Sequence, residues 1–416
     1  MQRGRTSSDG NCTGDTGNSD TVLPVFGFRK MRDGLCSAGP HGASSCRERR
    51  GGYTVKMKAM QLSKYRQLEI VDMPAPSAGA GEILVRVAAC GICGSDVHGY
   101  DGSSGRRIPP IVMGHEAAGE VAGWGAGVHG WSEGERITFD STIFCGTCPY
   151  CACGKVNLCD RRKVLGVSCG DYRCQGAFAE YIVVPERIVY RLPEKLPFAE
   201  AAMLEATAVA VHAVALSKIR EGDQALVLGA GMIGLLTLQA LRVEGCASVI
   251  VADVDASRLR LAEEVGAAAT VRASGQELVD EVLRRTNGAG VDVAIEAVGI
   301  DATVRAAVES ARKGGTVTLV GNISPEVTLP LQRVVTRQIR LQGSCASAGE
   351  YPRAIELLST GQIRVKPLIT AVAPLEEGPR WFERLHSREP NLMKVVLTPG
   401  TERQSFPSTN VNEFGS

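Results

Sequence analysis

Three short segments of this chain carry side chains that bind metals or move protons. Cys90-Gly-Ile-Cys93-Gly-Ser95-Asp96-Val-His98 comes first, Gly114-His115-Glu116 follows Pro110, and Glu205 precedes His212 well downstream. Singly each is ambiguous, because a lone Cys or His is more often structural. Together they offer thiolate, imidazole and carboxylate, a donor set suited to a catalytic zinc that keeps one position open. A denser cluster follows. Cys145-Gly-Thr-Cys148-Pro-Tyr-Cys151-Ala-Cys153 and then Cys159 place five cysteines in fifteen residues. Short C-x-x-C turns present two thiolates to one ion, and Cys145, Cys148, Cys151 and Cys159 would fill all four positions of a tetrahedron. Such a zinc has no room for substrate and is structural. Ferredoxin-type iron–sulfur runs are spaced differently. Cys153 is left over as a small core or surface residue.

A third constellation is built to hold phosphate. Leu226-Val-Leu-Gly229-Ala-Gly231-Met232-Ile233-Gly234 reads as a strand running through G-x-G-x-x-G into a helix. Gly229 makes the tight turn, Gly231 lets the backbone approach a pyrophosphate, and Gly234 allows close helix–sheet packing. The helix start supplies free N–H groups. Asp253, at the end of the next strand, can accept from both ribose hydroxyls and would repel a 2′-phosphate. That favours NAD over NADP, with Arg258 as a helix-surface or adenine-side residue. Val298, Val320 and Gly321, at later strand ends, complete the expected dinucleotide edge, because ligands sit outside the carboxyl ends of parallel strands.

The elements that must position these groups follow from pattern. The chain has 416 residues, enough for two or three domains, and 46 Lys+Arg balance 45 Asp+Glu. That neutrality argues against nucleic acid or an anionic membrane as the main partner. Residues 1–56 lack a sustained period and are expected to be a largely disordered extension; 400–416 reads as a loose tail. Residues 1–30 show no hydrophobic leader, so a cytoplasmic location with reduced thiols is expected. The longest uncharged stretch, Ala225–Leu241, is broken by glycines and does not suggest a membrane span.

Short apolar runs such as Ile83–Val87, Gly119–Ala122 and Tyr181–Val184 predict a β-rich segment. Helices follow from Pro197 to Leu216. Strands at Ala225–Leu228, Ser248–Ala252, Asp292–Ala297 and Thr316–Val320 then alternate with helical sequence, which predicts a parallel sheet. A helix at 350–360 and a strand at Lys394–Leu397 close the chain.

Jointly, the C-G-x-C-x-S-D-x-H pattern, the G-H-E, the four-cysteine lobe and the glycine turn resemble the zinc-dependent medium-chain dehydrogenase/reductase family, over roughly Met57 to Thr398. The wording C-G-I-C-G-S-D-V-H with Glu205 is most similar to its sorbitol (polyol) dehydrogenase branch. The resemblance implies an α/β fold: a GroES-like, β-rich catalytic domain (57–205 and 343–399) interrupted by a Rossmann NAD-binding domain (206–342). It implies Cys93 and His115 as ligands of a catalytic zinc, with Glu116 and Glu205 beside them, directly or through water. Ser95 matches the hydroxyl that contacts the reacting alcohol, His98 the outer member of a proton relay, and Asp96 the partner that orients His115. It implies two zincs per chain and a homodimer or homotetramer.

Two positions depart from the branch. Gly99 stands where an aromatic is usual. Gly343-Ser-Cys345-Ala346-Ser347 replaces an Arg-Tyr pair, leaving no cation in that loop. The expected reaction is reversible oxidation of a polyol, diol or sugar-derived secondary alcohol. A primary-alcohol dehydrogenase, a zinc-free reductase of the same superfamily, and a zinc-ribbon nucleic-acid binder are the competing readings.

Overall fold

In the computed structural model, residues 55–169 and 172–400 are described. The expectations for residues 1–54, for Cys12, Cys36 and Cys46, and for the tail beyond 400 lie outside them.

The first half builds antiparallel sheet, as its short alternating runs predict. Lys56–Lys64 pairs with Gln67–Pro74 and with Ile111–Val112. A larger sheet centres on Glu82–Gly91, whose neighbours are Glu116–Trp124, Tyr181–Pro185 and Lys394–Thr398. This pairing sets the functional geometry. It lays Cys90 and Gly91 against Ala117 and Glu116 on one side and against Leu397 and Val396 on the other. The loop that starts the Cys93 segment therefore meets Glu116 and the end of the chain. Met60, Leu62, Val85, Ile137, Phe139 and Phe178 are buried beneath it.

The second half is a six-stranded, wholly parallel sheet. With its strands numbered in chain order from Gln224–Leu228, the spatial order is third, second, first, fourth, fifth, sixth. That is the doubly wound order, which leaves a crevice at the carboxyl ends where the strand order reverses. Its strands are near-continuous apolar runs because helices cover both faces. Helix Leu204–Ser217 packs on helix Met232–Val243, and helix Tyr351–Ser359 joins the same core through Tyr351, Ala354, Leu357 and Leu358. The chain returns to the antiparallel sheet only at Ile369–Pro374 and Lys394–Thr398.

Every strand and helix named from the sequence forms, with shifted ends. The strand expected at Thr316–Val320 starts earlier, at Ala311. Elements with no counterpart in the sequence reading include helices Gly94–Tyr100 and Gly378–His386 and strands Arg136–Phe139, Val189–Arg191, Ala269–Val271, Arg340–Gly343 and Ile369–Pro374. No helix among the described residues is long and apolar enough to cross a membrane.

Candidate active site and cofactor turn

Cys93 caps the N-terminus of helix Gly94–Tyr100 in an extended conformation. Its own N–H donates to Asp96 Oδ2 at 3.2 Å, which locks the entry turn. Gly114-His115-Glu116 enters the neighbouring strand, so two local turns and one strand pairing converge on one point. Donor atoms of Cys93, His115 and Glu116 all lie within 4.8 Å of one another. His115 and Glu116 are buried and Cys93 is partly so. Glu205 stands outside this trio, on helix Leu204–Ser217, where its Oε1 accepts from Ser141 Oγ at 3.2 Å. Burial pushes the Glu205 carboxyl up, His115 opposes it, and Glu116 adds to it.

The imidazole is held for a metal. His115 Nδ1 lies 3.3 Å from Asp96 Oδ1, on the side away from Ser95, whose Oγ is 3.4 Å from Nε2. A carboxylate behind one ring nitrogen fixes the tautomer that frees the other. Burial alone would lower the His115 pKa; Asp96 and Cys93 outweigh it and hold it well above the usual value. Burial would likewise raise Asp96, but His115 and Arg107 keep it below the carboxylate range. Three donors of unlike type, two of them buried and two of them anionic in their metal-binding forms, fit a divalent cation better than they fit one another.

Glu116 has a partner the sequence did not suggest. Lys394 Nζ, 3% exposed at its side chain, reaches Glu116 Oε2 at 2.5 Å and Ile92 O at 3.2 Å. Burial would lower the lysine pKa, and Glu116 with Cys93 raises it. Asp140, next to Ser141, is a second surprise: burial lifts it to about 7, against the Thr142 N–H that pulls it down. His212, two turns beyond Glu205, does not join the metal trio. Its Nδ1 pairs with Glu350 Oε1 at 2.7 Å, and Asn157 Nδ2 sits 3.4 Å from its Nε2. Ser95 and His98 are both exposed, and among the described contacts no hydrogen bond joins them.

The four cysteines form a second centre. Cys145 Sγ is 3.9 Å and Cys148 Sγ 3.5 Å from Cys151 Sγ. Zinc–sulfur bonds of ~2.3 Å in a tetrahedron place sulfurs about 3.8 Å apart, so the spacing fits. Main-chain N–H groups already point at the sulfurs. Thr147 and Cys148 donate to Cys145, and Cys145 and Arg161 to Cys159. The Thr147 N–H, ahead of burial, brings Cys145 down to about 5. Donors aimed at thiolates are what a metal-bound tetrad requires. Cys153 departs from the expected reduced thiols: it is disulfide-bonded.

The glycine turn lies at the crevice. Gly229 has φ +97°, and a Cβ there would fall 2.6 Å from Val298 Cγ2. A Cβ on Gly234 would sit 1.8 Å from Gly229 O, whereas one on Gly231 meets nothing within 4 Å. Gly229 and Gly234 are thus forced by packing, and Gly231 faces open space, as a phosphate cradle needs. Met232 and Ile233 open the helix that Gly231 caps. Asp253 ties the next strand end to this turn, its Oδ2 accepting from Ala230 N at 2.7 Å and its Oδ1 from Asp255 N at 2.9 Å. Arg258 Nη1 is 4.0 Å from Asp253 Oδ2. At the following strand end, Glu296 Oε1 accepts from Val298 N and Gly299 N, and Val320 N and Gly321 N donate to Glu296 O. These backbones pack so closely that a Cβ on Gly321 would meet Val298 at 2.2 Å.

Two family models match: an alcohol dehydrogenase GroES-like domain over residues 79–194 and a zinc-binding dehydrogenase over residues 233–360. The chain is 33% identical over 347 residues to a sorbitol dehydrogenase of Bacillus subtilis (strain 168), covering 82% of this chain and 97% of the relative. A zinc-binding dehydrogenase of Sinorhizobium meliloti 1021, solved with NADP, superposes with a TM-score of 0.75 at 35% identity, over 83% of this chain and all of that one. An alcohol dehydrogenase of Escherichia coli CFT073, solved with NADH, gives 0.77 at 32% identity over 82% and 99% of the two chains.

Proposed function

Because the chain belongs to the zinc-dependent medium-chain dehydrogenases, on their polyol branch, we propose that it interconverts a secondary alcohol of a polyol, diol or sugar-derived substrate with the matching ketone, using NAD. The family makes it an alcohol or polyol oxidoreductase with the GroES-like and Rossmann architecture. The proposal adds the residues, the cofactor preference and the assembly. The observation that carries it is the trio of the half-buried Cys93 and the buried His115 and Glu116 beside an exposed Ser95.

Cys93, His115 and Glu116 hold the catalytic zinc, with Glu205 facing it from the next helix. Cys145, Cys148, Cys151 and Cys159 hold a structural one. When bound, the catalytic zinc supplies a Lewis acid for the substrate oxygen and NAD supplies the hydride acceptor. The chain's own groups do the rest. Asp96 keeps His115 in its metal-binding tautomer. Lys394 pairs with Glu116 in a buried setting and fixes the position of its carboxylate. Ser95 takes the substrate hydroxyl proton, and His98, exposed on the same helix, passes it to solvent. Gly229, Gly231 and Gly234 seat the pyrophosphate. Val298, Val320 and Gly321 edge the nicotinamide pocket. The catalytic part comprises 57–205 and 343–399 and the cofactor part 206–342, with helix Tyr351–Ser359 packed on the cofactor side.

The experiment is an NAD-reduction screen over polyols, vicinal diols, sugar acids, sugar phosphates and simple alcohols. Turnover confined to simple primary alcohols overturns the substrate class.

Asp253 sets the cofactor preference. Asp253→Gly removes a charged acceptor worth about 1.5–3 kcal/mol, so NAD affinity should fall on the order of tenfold to a hundredfold. NADP affinity should hold or rise, because Arg258 is released to meet a 2′-phosphate. Fluorescence titration with both reduced cofactors reads this out; an unchanged preference removes Asp253 from the role.

The assembly is a homo-oligomer. Among the described residues strand Arg340–Gly343 ends the parallel sheet with one edge unpaired, and in the segment leading to it Ile323, Leu331 and Val335 are 59%, 64% and 65% exposed. Leu331→Glu with Val335→Glu should lower the mass seen by light scattering to that of one chain. An unchanged oligomer would place the contact elsewhere.

A further inference from the structure

Arg107 sits in an irregular stretch between the two metal-binding segments, where sequence pattern assigns it nothing. It is 3% exposed. Its Nη2 donates to Ser95 Oγ at 3.2 Å and to Asp96 Oδ1 at 3.0 Å. Its Nε is buried without a partner among the described residues. Its stem fills the space above Gly99: a Cβ on that glycine would lie 2.1 Å from Arg107 Cγ. Any side chain at that position would displace this arginine from its present place.

We propose that Arg107 is a positioning residue that orients the Ser95 hydroxyl for proton exchange with the substrate oxygen, and that Gly99 is the opening that admits it. The inference rests on the functional reading above. A guanidinium is a donor only and stays protonated. A serine hydroxyl has one hydrogen and two lone pairs. With one lone pair taken by Arg107, the hydroxyl hydrogen must point elsewhere. Its nearest acceptor in the structure is His115 Nε2 at 3.4 Å, the nitrogen reserved for the metal. The other lone pair of Ser95 Oγ then accepts the hydrogen of the substrate hydroxyl while its own hydrogen leaves through water toward His98, so Ser95 ends unchanged. The fixed positive charge favours that loss. In the ketone direction the same steps run backward. The single donor atom Nη2 bridges Ser95 and Asp96, so the hydroxyl and the carboxylate behind His115 share one anchor.

The test is a double-mutant cycle on the zinc-loaded enzyme with its best substrate. Arg107→Met should lower kcat about tenfold to a hundredfold, within the reach of acid–base catalysis, with KM and zinc content within twofold. In a Ser95→Ala background the same substitution should change kcat less than about threefold, because the residue acts through Ser95. Arg107→Lys should recover part of the loss. Gly99→Ala should reproduce it by displacing the arginine without removing its charge, and with Arg107→Lys it carries the test should Arg107→Met not fold. An equal loss in both backgrounds would show that Arg107 acts through Asp96 or the fold. A rise in KM at constant kcat would show that it reads the substrate instead. Either result, or no change, overturns the proposal. Crystal structures of the zinc-loaded wild type and Arg107→Met give a readout independent of turnover: the Ser95 side chain should hold its contact with Arg107 in the first and rotate away in the second. An enzyme that oxidises no alcohol in the screen would refute the functional reading, and the Ser95 rotamers would still judge Arg107.

Discussion

Cys93→Ser is expected to remove alcohol oxidation and one zinc per chain while leaving the four-thiolate zinc in place. Cys93 is the soft ligand of the trio, with His115 and Glu116 within 4.8 Å. A serine hydroxyl is a hard, protonated donor at neutral pH and does not replace a thiolate on zinc. The Lewis acid contributes several kcal/mol to the stability of the transition state. Since each 1.36 kcal/mol is tenfold, the loss in kcat should be at least about a thousandfold. The fold should survive, because the strand pairing of Glu82–Gly91 with Glu116–Trp124 does not pass through the sulfur. Metal analysis by mass spectrometry, read beside kcat and the far-ultraviolet spectrum, separates the outcomes. A variant that keeps both turnover and its full zinc content would show that the trio is not the catalytic centre.

The second large effect is structural. In the zinc-free protein, Lys394→Met leaves Glu116 buried at 1% side-chain exposure without its cation. Breaking one side of a buried pair costs about 3–5 kcal/mol, because the remaining charge is uncompensated. In a chain of this size that corresponds to a fall in the thermal midpoint on the order of 5 °C. Lys394→Arg should lose less. Glu116→Gln placed in the Lys394→Met background should recover part of the loss, since it removes the stranded charge. Scanning calorimetry of the wild type, Lys394→Met, Glu116→Gln and the double variant closes the cycle. A midpoint unmoved by Lys394→Met would mean that Glu116 takes its compensation from elsewhere in the site.

What the sequence revealed, it revealed through spacing along one segment. The C-x-x-C turns, the glycine turn and G-H-E each encode a local backbone shape, and the structure forms all three. Asp253 was readable because it ends the strand beside the turn, and its contact with Ala230 N is the physical reason for that position. The partners that hold these groups were not readable. Lys394 meets Glu116 across 278 residues and Arg107 lies in a loop without periodicity. One signal was available for Lys394: a cation opening a strand that continues Val-Val-Leu has to be paired if that strand is central. His212 shows what spacing alone does not decide. Its spacing from Glu205 puts both on one helix, yet Glu350 takes the imidazole, because two turns carry it past the metal trio. Strands Ala269–Val271 and Arg340–Gly343 have three and four residues, too few for an alternation to show. Ala311–Leu319 begins in Arg312-Lys-Gly-Gly, whose polarity hides its pairing.

The central claim is that the trio of Cys93, His115 and Glu116, served by Ser95, oxidises a secondary carbinol. The measurement that tests it most directly is the identity of the carbonyl product. A polyol or vicinal diol that reduces NAD in the screen is converted to completion with cofactor recycling, and the product is read by carbon-13 NMR. The account predicts a ketone or ketose, formed by the wild type and not by Cys93→Ser. An aldehyde or aldose from the same substrate would contradict it.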